Sequence, residues 1–292
     1  MSLAFLLRRR RAGLVSIAVA GIFATIAPGA GSDARAADGA WPTHVTASYK
    51  INFSGFDIGH FTYTSSIAGP AGGDYRLDGN AQLSAMLGAF KWQGVSQATG
   101  GVAGHEPAPS NYRFDYSSSA KEGSVRMGFR GGNVNSVAAS PPAAPNEDLV
   151  PLERRHLTDV LDPLTAVMSL TRAGVGQPCQ QRLPIFDGKQ RFDLVLQPKG
   201  ERVLNERRPT GQPGMVHVCD VRYVPIAGYK RNSEAEEAAR RMAIEMTLRP
   251  IPSANLLVPH EVVIPAVVGT VVLSLDRIDI RTSDRNQIAL VN

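Results

Sequence analysis

Cysteine is scarce in this chain of 292 residues, which contains only Cys179 and Cys219. Neither cysteine has a neighbour at zinc spacing, and neither lies in a C-x-x-C pair of the kind that lowers a thiol pKa. These absences argue against a zinc site and against a nucleophilic thiol. If the two cysteines pair at all, they can pair only with each other.

Motifs that carry catalysis or metal binding are also missing. The six histidines form no H-x-H or H-x-x-x-H arrangement, there is no G-x-S-x-G motif, and no glycine-rich stretch ends in G-K-[ST]. We therefore predict no catalytic residue, no cofactor and no metal. One alternative stays open, which is a hydrolase site assembled from separated residues such as Glu153, His156 and Asp159.

The first 36 residues have the pattern of a secretory signal. Four arginines, Arg8 to Arg11, precede an apolar run from Ala12 to Ala27, and the sequence Ala34-Arg35-Ala36 then matches a cleavage site. The run is too short and too interrupted to span a bilayer comfortably, and no cysteine for a lipid anchor lies nearby. We predict export to the periplasm with cleavage after Ala36, by either the general or the twin-arginine route.

Excess positive charge is confined to this leader. The chain carries 31 basic and 26 acidic residues, and five arginines with one aspartate of these lie in the first 36 positions. The remaining 26 bases and 25 acids leave a net charge of +1, so no nucleic-acid partner is predicted. Export into an oxidising compartment predicts a Cys179–Cys219 disulfide, worth about 4 kcal/mol for a loop of this length.

Residues 37–292 are predicted to form a single β-rich domain. Val45, Ala47, Tyr49, Ile51 and Phe53 alternate with polar or small residues, which indicates a half-buried strand. Similar short runs recur at about ten-residue spacing between glycine-rich turns, which favours about a dozen antiparallel strands. Ala138 to Pro145 is predicted to be a loop, because it is rich in proline and small residues.

Two helical segments are predicted among the strands. Asp162 is suited to cap a helix over about 162–172, Pro163 fits its first position, and Gly174 follows it. Asn232 to Arg240 is a charge run that favours a short exposed helical turn.

Asp187-Gly188-Lys189 joins two alternating runs and predicts a β-hairpin, because both central residues tolerate positive φ. A phosphate-gripping loop is the less favoured interpretation of this stretch.

Five motifs in order resemble the bacterial domain-of-unknown-function 3108 family. They are Y-x-I-x-F-x-G-F-x-I-G at 49–59, F-K-W-Q-G at 90–94, D-P-L-T-A at 162–166, F-D-G-K-Q-R-F-D at 186–193 and V-P-H-E-V-V-I at 258–264. The resemblance implies a periplasmic, mainly β protein: an antiparallel curved sheet, open barrel or β-spiral with one packed helix. It carries over no catalytic residue. Ile244 and Met246 depart from it, since the family often has an aromatic residue there.

Three functions remain open at this point. The first is a non-enzymatic periplasmic protein that supports the cell envelope and binds a lipid, lipoprotein or other envelope ligand in a concave sheet. The second is an interaction module that uses an exposed strand edge, and the third is the hydrolase named above. A lipid or an envelope protein is the expected partner, with at most peripheral membrane contact.

Overall fold

One antiparallel sheet of fourteen strands dominates the part of the chain that this computed structural model describes, which is residues 42–68, 73–85, 88–103, 106–142, 146–172, 177–204, 214–266, 268–283 and 287–291. The strands are β1 His44–Phe53, β2 Phe56–Ile67, β3 Asp74–Ala85, β4 Phe90–Ala103, β5 Glu106–Ser118, β6 Glu122–Arg130, β7 Asn133–Ser140, β8 Gln181–Phe186, β9 Arg191–Leu204, β10 Gly214–Ala227, β11 Ile244–Ile251, β12 Leu256–Ala266, β13 Gly269–Arg281 and β14 Gln287–Val291. The helices are α1 Pro163–Arg172 and α2 Glu234–Arg241, with short 3-10 turns at Arg154–Leu157 and Pro252–Ala254. The predicted signal, residues 1–36, lies outside the described residues.

The strand order runs β7-β6-β5-β4-β3-β2-β1-β13-β12-β11-β10-β9-β8, and β14 pairs with β13 beside this path. Every neighbouring pair is antiparallel, as the sequence predicts. The two halves of this order, β1 to β7 and β8 to β13, meet where β1 pairs with β13. The mainly β prediction with a curved open sheet is confirmed, with fourteen strands rather than about twelve.

Tight turns set the register of the hairpins. Ser54 and Gly55 have φ of 48° and 89°, and this two-residue turn joins Phe53 directly to Phe56 across β1 and β2. The Asp-Gly segment also forms a hairpin, with Phe186 opposite Arg191. In this second turn only Gly188, at φ 97°, takes positive φ, and four residues make the connection.

Two strands, β7 and β14, were not predicted from the sequence. Ala138 to Ser140 belong to β7 and not to a loop, because their backbone pairs with β6 despite their small side chains. Residues 143–145 of the predicted loop lie outside the described residues. The strand β14 was also missed, since Gln287–Val291 is short and mostly exposed along one face. Pro259 lies beside a bulge between β11 and β12, as its lack of an N–H predicts.

Helix α1 lies against the inner face of the curved sheet and contacts β3, β4, β5, β8 and β12. Leu164 and Met168, one turn apart, pack into an apolar cluster with residues of β2 to β6. Ala166 and Leu170 pack into a second cluster with Cys179 and Cys219. The helix therefore joins two parts of the core. Gly174, predicted to end it, lies outside the described residues, and α2 falls within one or two residues of its predicted charge run.

Candidate functional site

The start of α1 is fixed by a buried carboxylate, Asp162. Its Oδ1 atom accepts hydrogen bonds from the backbone N–H groups of Leu164 and Thr165, each at 3.0 Å, and Oδ2 accepts one from Thr165 Oγ1 at 2.6 Å. These bonds satisfy amides that have no partner within the helix, which is the role predicted for Asp162. Asp162 and Thr165 are fully buried, so the cap is also part of the core.

Three tyrosines surround this cap. The Tyr75 hydroxyl lies 2.9 Å from Thr165 Oγ1, which links the sheet to the helix start. Burial raises the pKa of Asp162 to about 6, and its hydrogen bonds only partly oppose the shift. Burial likewise raises the pKa values of Tyr63, Tyr75 and Tyr112, so these hydroxyls stay protonated. The cluster is therefore neutral or singly negative at physiological pH.

A cavity of about 160 Å³ lies between α1 and the inner face of the sheet. Its wall is almost entirely hydrocarbon, from three helix residues and from strands β1, β2, β11, β12 and β13. The lining residues are Val45, Ala47, Tyr49, Phe61, Tyr63, Val167, Leu170, Thr171, Met246, Leu256, Val258, Pro259, Val262, Leu273 and Ile278.

The size of the cavity limits what it can hold. An apolar cavity of about 150 Å³ stays dry and accepts a molecule such as benzene, whereas sites for whole drug-sized ligands have roughly 300–1,000 Å³. The cavity therefore fits a segment of about six carbon atoms and not a whole lipid. Among the described residues, the two tyrosines are the only ionisable side chains that line it, so its wall offers mainly apolar contacts.

Two tyrosines in the wall differ in their hydrogen bonding. The Tyr49 hydroxyl donates to the Pro259 carbonyl oxygen at 3.0 Å, and its ring stacks on Phe61 with centroids 6.1 Å apart. The Tyr63 hydroxyl is enclosed and has no hydrogen-bond partner among the described residues. A buried hydroxyl without a partner costs about 1–3 kcal/mol. Tyr63 thus places an unsatisfied polar atom between the cavity and Asp162.

A larger groove, of about 510 Å³, lies open on the outer face of the sheet near the ends of β2 to β5. Its walls include His60, Gln82 and Gln93, and Gln93 donates to Ser117 Oγ at 2.9 Å. Polar side chains on an outer face are what a solvated sheet requires. We consider the smaller cavity the better candidate, because it is less open than the groove and its wall is apolar.

The cysteine pair and the Asp-Gly-Lys turn both make contacts that stabilise the fold. Cys179 and Cys219 lie at disulfide distance with Cα atoms 5.3 Å apart, and both are buried beside α1. Asp187 Oδ1 accepts hydrogen bonds from the N–H groups of Lys189 and Gln190 at 2.8 and 2.7 Å, which closes the turn. Lys189 Nζ lies 6.0 Å from the Tyr116 ring, so the turn rests on the inner face of β5.

The residues of the hydrolase alternative lie on the surface around a 3-10 turn. The N–H of Glu153 donates to His156 Nδ1 at 3.1 Å, and Arg155 donates to Glu153 Oε1 at 3.1 Å. Asp159 is exposed and has a left-handed backbone at φ 50°. Glu153 and His156 thus support their own turn, and none of the three lines the cavity.

A buried charge cluster escaped the sequence analysis. Asp193 on β9 is fully buried and contacts both Arg182 of β8 and Arg191 of its own strand. Arg191 is itself buried, and it also donates to the Phe192 carbonyl at 2.6 Å. The alternation of charge in R-x-D-x-V could have indicated that Arg191 and Asp193 share one face of the strand. Nothing in the local pattern marks this face of the strand as the buried one.

Neither a metal site nor a membrane-crossing helix emerges from the described part of the chain. Across those residues, histidine, cysteine and acidic side chains form no group of three that could hold a metal ion. Within the same residues, no helix is both long and apolar enough to cross a membrane.

Comparison with known proteins identifies the family without adding a function. No curated protein matches the chain. A crystal structure of a β-barrel-like protein of domain of unknown function DUF1849 from Brucella abortus is similar, with a TM-score of 0.45 and 12% identity, over 82% of this chain and 99% of that one. The family described as protein of unknown function DUF3108 matches residues 48–275, from the middle of β1 to β13. The match includes α1 and most of the cavity wall. Because it covers more than half of the chain, the chain belongs to the DUF3108 family.

Proposed function

We propose that this protein is an exported, non-enzymatic component of the cell envelope that binds one apolar chain of a lipid or lipoprotein. The binding site is the cavity between α1 and the inner face of the sheet. The single observation that carries the proposal is the hydrocarbon wall of this partly enclosed 160 Å³ space. Each methylene group moved from water into such a site contributes about 0.8 kcal/mol, so six contribute about 5 kcal/mol before entropic costs.

Two features support the location in the envelope. The first 36 residues have the sequence of a cleavable secretory signal. The buried Cys179–Cys219 bridge is of a kind that persists in oxidising compartments. A carrier of this kind needs no nucleophile, metal or acid–base pair. A site built from aliphatic and aromatic side chains suits that role.

Ligand binding can be tested by filling the cavity from one of its half-buried walls. Val262 lines the cavity, whereas its neighbour Val263 is similarly half-buried but points to the opposite face of β12. We expect Val262→Phe to weaken binding of a fluorescent fatty-acid probe by about tenfold or more, and Val263→Phe to leave it unchanged. Native mass spectrometry of the protein purified from the periplasm should show a lipid in the wild type.

The proposal would be refuted by equal probe affinities for the two variants, or by the absence of both a bound lipid and measurable probe binding in the wild type. Circular dichroism of both variants shows whether each is folded, so that loss of binding by Val262→Phe is not mistaken for unfolding.

A second candidate function rests on the free edge of the sheet. Strand β7 ends the strand order, and its sequence from Asn133 to Ser140 has no charged residue, although charges usually protect such edges. An extended peptide of an envelope protein could pair with this edge by main-chain hydrogen bonds. Capture of a partner that survives Val262→Phe but is abolished by Val137→Lys would favour this function over the first.

A further inference from the structure

The turn between β12 and β13 has an unusual composition for a strand connection. The twelve residues from Val262 to Leu273, VVIPAVVGTVVL, include no charge and only one hydroxyl group. Elsewhere the outer face of the sheet is polar, as at His60, Gln82 and Gln93. Strands that face water on one side alternate apolar and polar residues, and this segment does not.

Both faces of this hairpin end are aliphatic. Val262 pairs with Leu273 and Ile264 with Val271 on the face that continues from the cavity, while Val263 pairs with Val272 on the opposite face. The side chains of these strand residues are only partly buried. A hairpin end that stays in water gains nothing from an apolar outer face, whereas one that enters a lipid phase requires apolar side chains on both faces.

The neighbouring β1–β2 turn extends the same apolar surface. The Ser54 N–H donates to the Thr270 carbonyl at 2.9 Å, and Phe53 pairs with Val271, so the two turns lie side by side. Phe56 is 75% exposed and Val268 is 76% exposed, the highest values for large apolar side chains among the described residues.

This apolar surface is continuous with the cavity. Val262 and Leu273 line the cavity, and Gly269 lies four residues further along β13, about 13 Å away at 3.3 Å per residue. Ile264, Val271 and Phe53 occupy the inner face between these points. An acyl chain could pass from the tips of the turns to the cavity along a path without a charged side chain.

We propose that the tips of the β1–β2 and β12–β13 turns insert into the surface of a lipid bilayer, with Phe56 and Val268 as the inserted side chains. The inference rests on the proposed function, since a bilayer is the reservoir of the apolar chain that the cavity holds. It adds the surface through which that chain enters and leaves.

The shape and the polar boundary of these turns favour a bilayer over a protein partner. Phe56 and Val268 are each about three-quarters exposed at two neighbouring turns. A fluid lipid phase adapts to such exposed side chains, whereas a protein would need a matching pocket. Lys50 and Asp276 form an ion pair at 2.6 Å at the level of Ser274, and the exposed Asp57 lies between that level and the tip of the β1–β2 turn, so the polar boundary begins directly beside Phe56.

The insertion is shallow. Strand β11 pairs with β12 only as far as Val263, and no other described strand pairs with Ile264–Ala266 on that side. Unpaired backbone groups are costly in the hydrocarbon core, although Pro265 has no N–H to satisfy. The tips therefore enter only the boundary between head groups and acyl chains, about 5–10 Å deep.

Flotation with phosphatidylcholine vesicles tests the inference. We expect the purified protein to float with the vesicles in 0.1 M and 0.5 M salt alike, because the contact is apolar. The double substitution Phe56→Ser with Val268→Ser should weaken vesicle binding by about tenfold or more. Val291→Ser is the matched control, since Val291 is 72% exposed but lies on β14, and it should bind as the wild type does.

The inference would be overturned by no flotation of the wild type, by equal loss in the Val291→Ser control, or by flotation that disappears in 0.5 M salt. If a second copy of the chain covers this surface, the wild type should form a concentration-dependent dimer, the double substitution should abolish that dimer, and neither protein should bind vesicles. This result would also overturn the inference. Fatty-acid probe binding in solution separates this inference from the proposed function. Probe binding without flotation refutes only the membrane contact, and flotation without probe binding refutes the cavity.

Discussion

Gly188, at the tip of the β8–β9 turn, lies against Val125 of β6 although these strands stand near opposite ends of the sheet order. A Cβ atom at position 188 would overlap Val125 Cγ1, so only glycine allows this approach. The curvature of the sheet thus brings its last hairpin onto the inner face of its second strand, and α1 is enclosed between them.

Substitution of Gly188 should therefore lower the free energy of unfolding by more than the strain of its positive φ alone. Gly188→Ala places a methyl group at φ 97° and against Val125, whereas Gly55→Ala places one at φ 89° with nothing within 4 Å. We expect the Gly188 variant to lose about 1–3 kcal/mol more than the Gly55 variant in the free energy of unfolding by urea. Equal losses would mean that the β8–β9 turn does not pack on β6.

The Cys179–Cys219 bridge should hold the end of the α1 region to β10. Its two cysteines are 40 residues apart, for which the chain-entropy model gives about 4 kcal/mol. We expect the double substitution Cys179→Ser with Cys219→Ser to lower the free energy of unfolding by about this amount. Wild type unfolded in the presence of dithiothreitol should match the variant, and wild-type stability that does not change with reductant would contradict the prediction.

The unsatisfied hydroxyl of Tyr63 predicts an unusual gain of stability. Tyr63→Phe removes a buried hydroxyl that has no partner in the described residues, so the free energy of unfolding should rise by about 1 kcal/mol. Tyr49→Phe is the matched control, because it removes a hydroxyl that donates to Pro259, and it should lower stability by about the same amount. Thermal unfolding of the two ligand-free variants measures both effects. If both variants are less stable than the wild type, the Tyr63 hydroxyl has a hydrogen-bond partner and the prediction is wrong.

The buried carboxyl of Asp162 should make the folded protein less stable as the pH rises, whereas carboxylates in surface ion pairs make it less stable as the pH falls. Burial raises its folded-state pKa from 3.8 to about 6, so the folded protein binds more protons than the unfolded chain between these values. The stability contributed by protonated Asp162 is complete below about pH 4 and is lost as the pH rises to about 6. The loss amounts to about 3 kcal/mol.

Asp162→Asn should lack this component while it keeps an acceptor for the helix N–H groups. We expect the variant to gain stability relative to the wild type as the pH of urea unfolding rises from 4 to 7. Asp279→Asn is the contrasting control: a hydrogen bond from Arg277 lowers the pKa of Asp279, so its contribution is lost only as the pH falls. A wild-type minus Asp162→Asn difference that does not vary with pH would contradict the prediction.

Local patterns determined much of this protein from the sequence alone. Alternating residues from Val45 to Phe53 predicted β1, Asp162 and Pro163 predicted the start of α1, and Asp187-Gly188 predicted the β8–β9 hairpin. These patterns succeed because a strand period of two, a helix cap and a glycine turn each depend on residues only a few positions apart. The uncharged run from Val262 to Leu273 is equally visible in the sequence.

The tertiary structure decided what separated residues do together. β7 was missed because small side chains carry no period, and its strand conformation comes from pairing with β6. The cavity was invisible because Val167 on α1, Tyr63 on β2 and Val258 on β12 meet only when the sheet curves around the helix. Burial of Asp162 and Asp193 likewise follows from that curvature, since a carboxylate in the sequence has no environment until the chain encloses it.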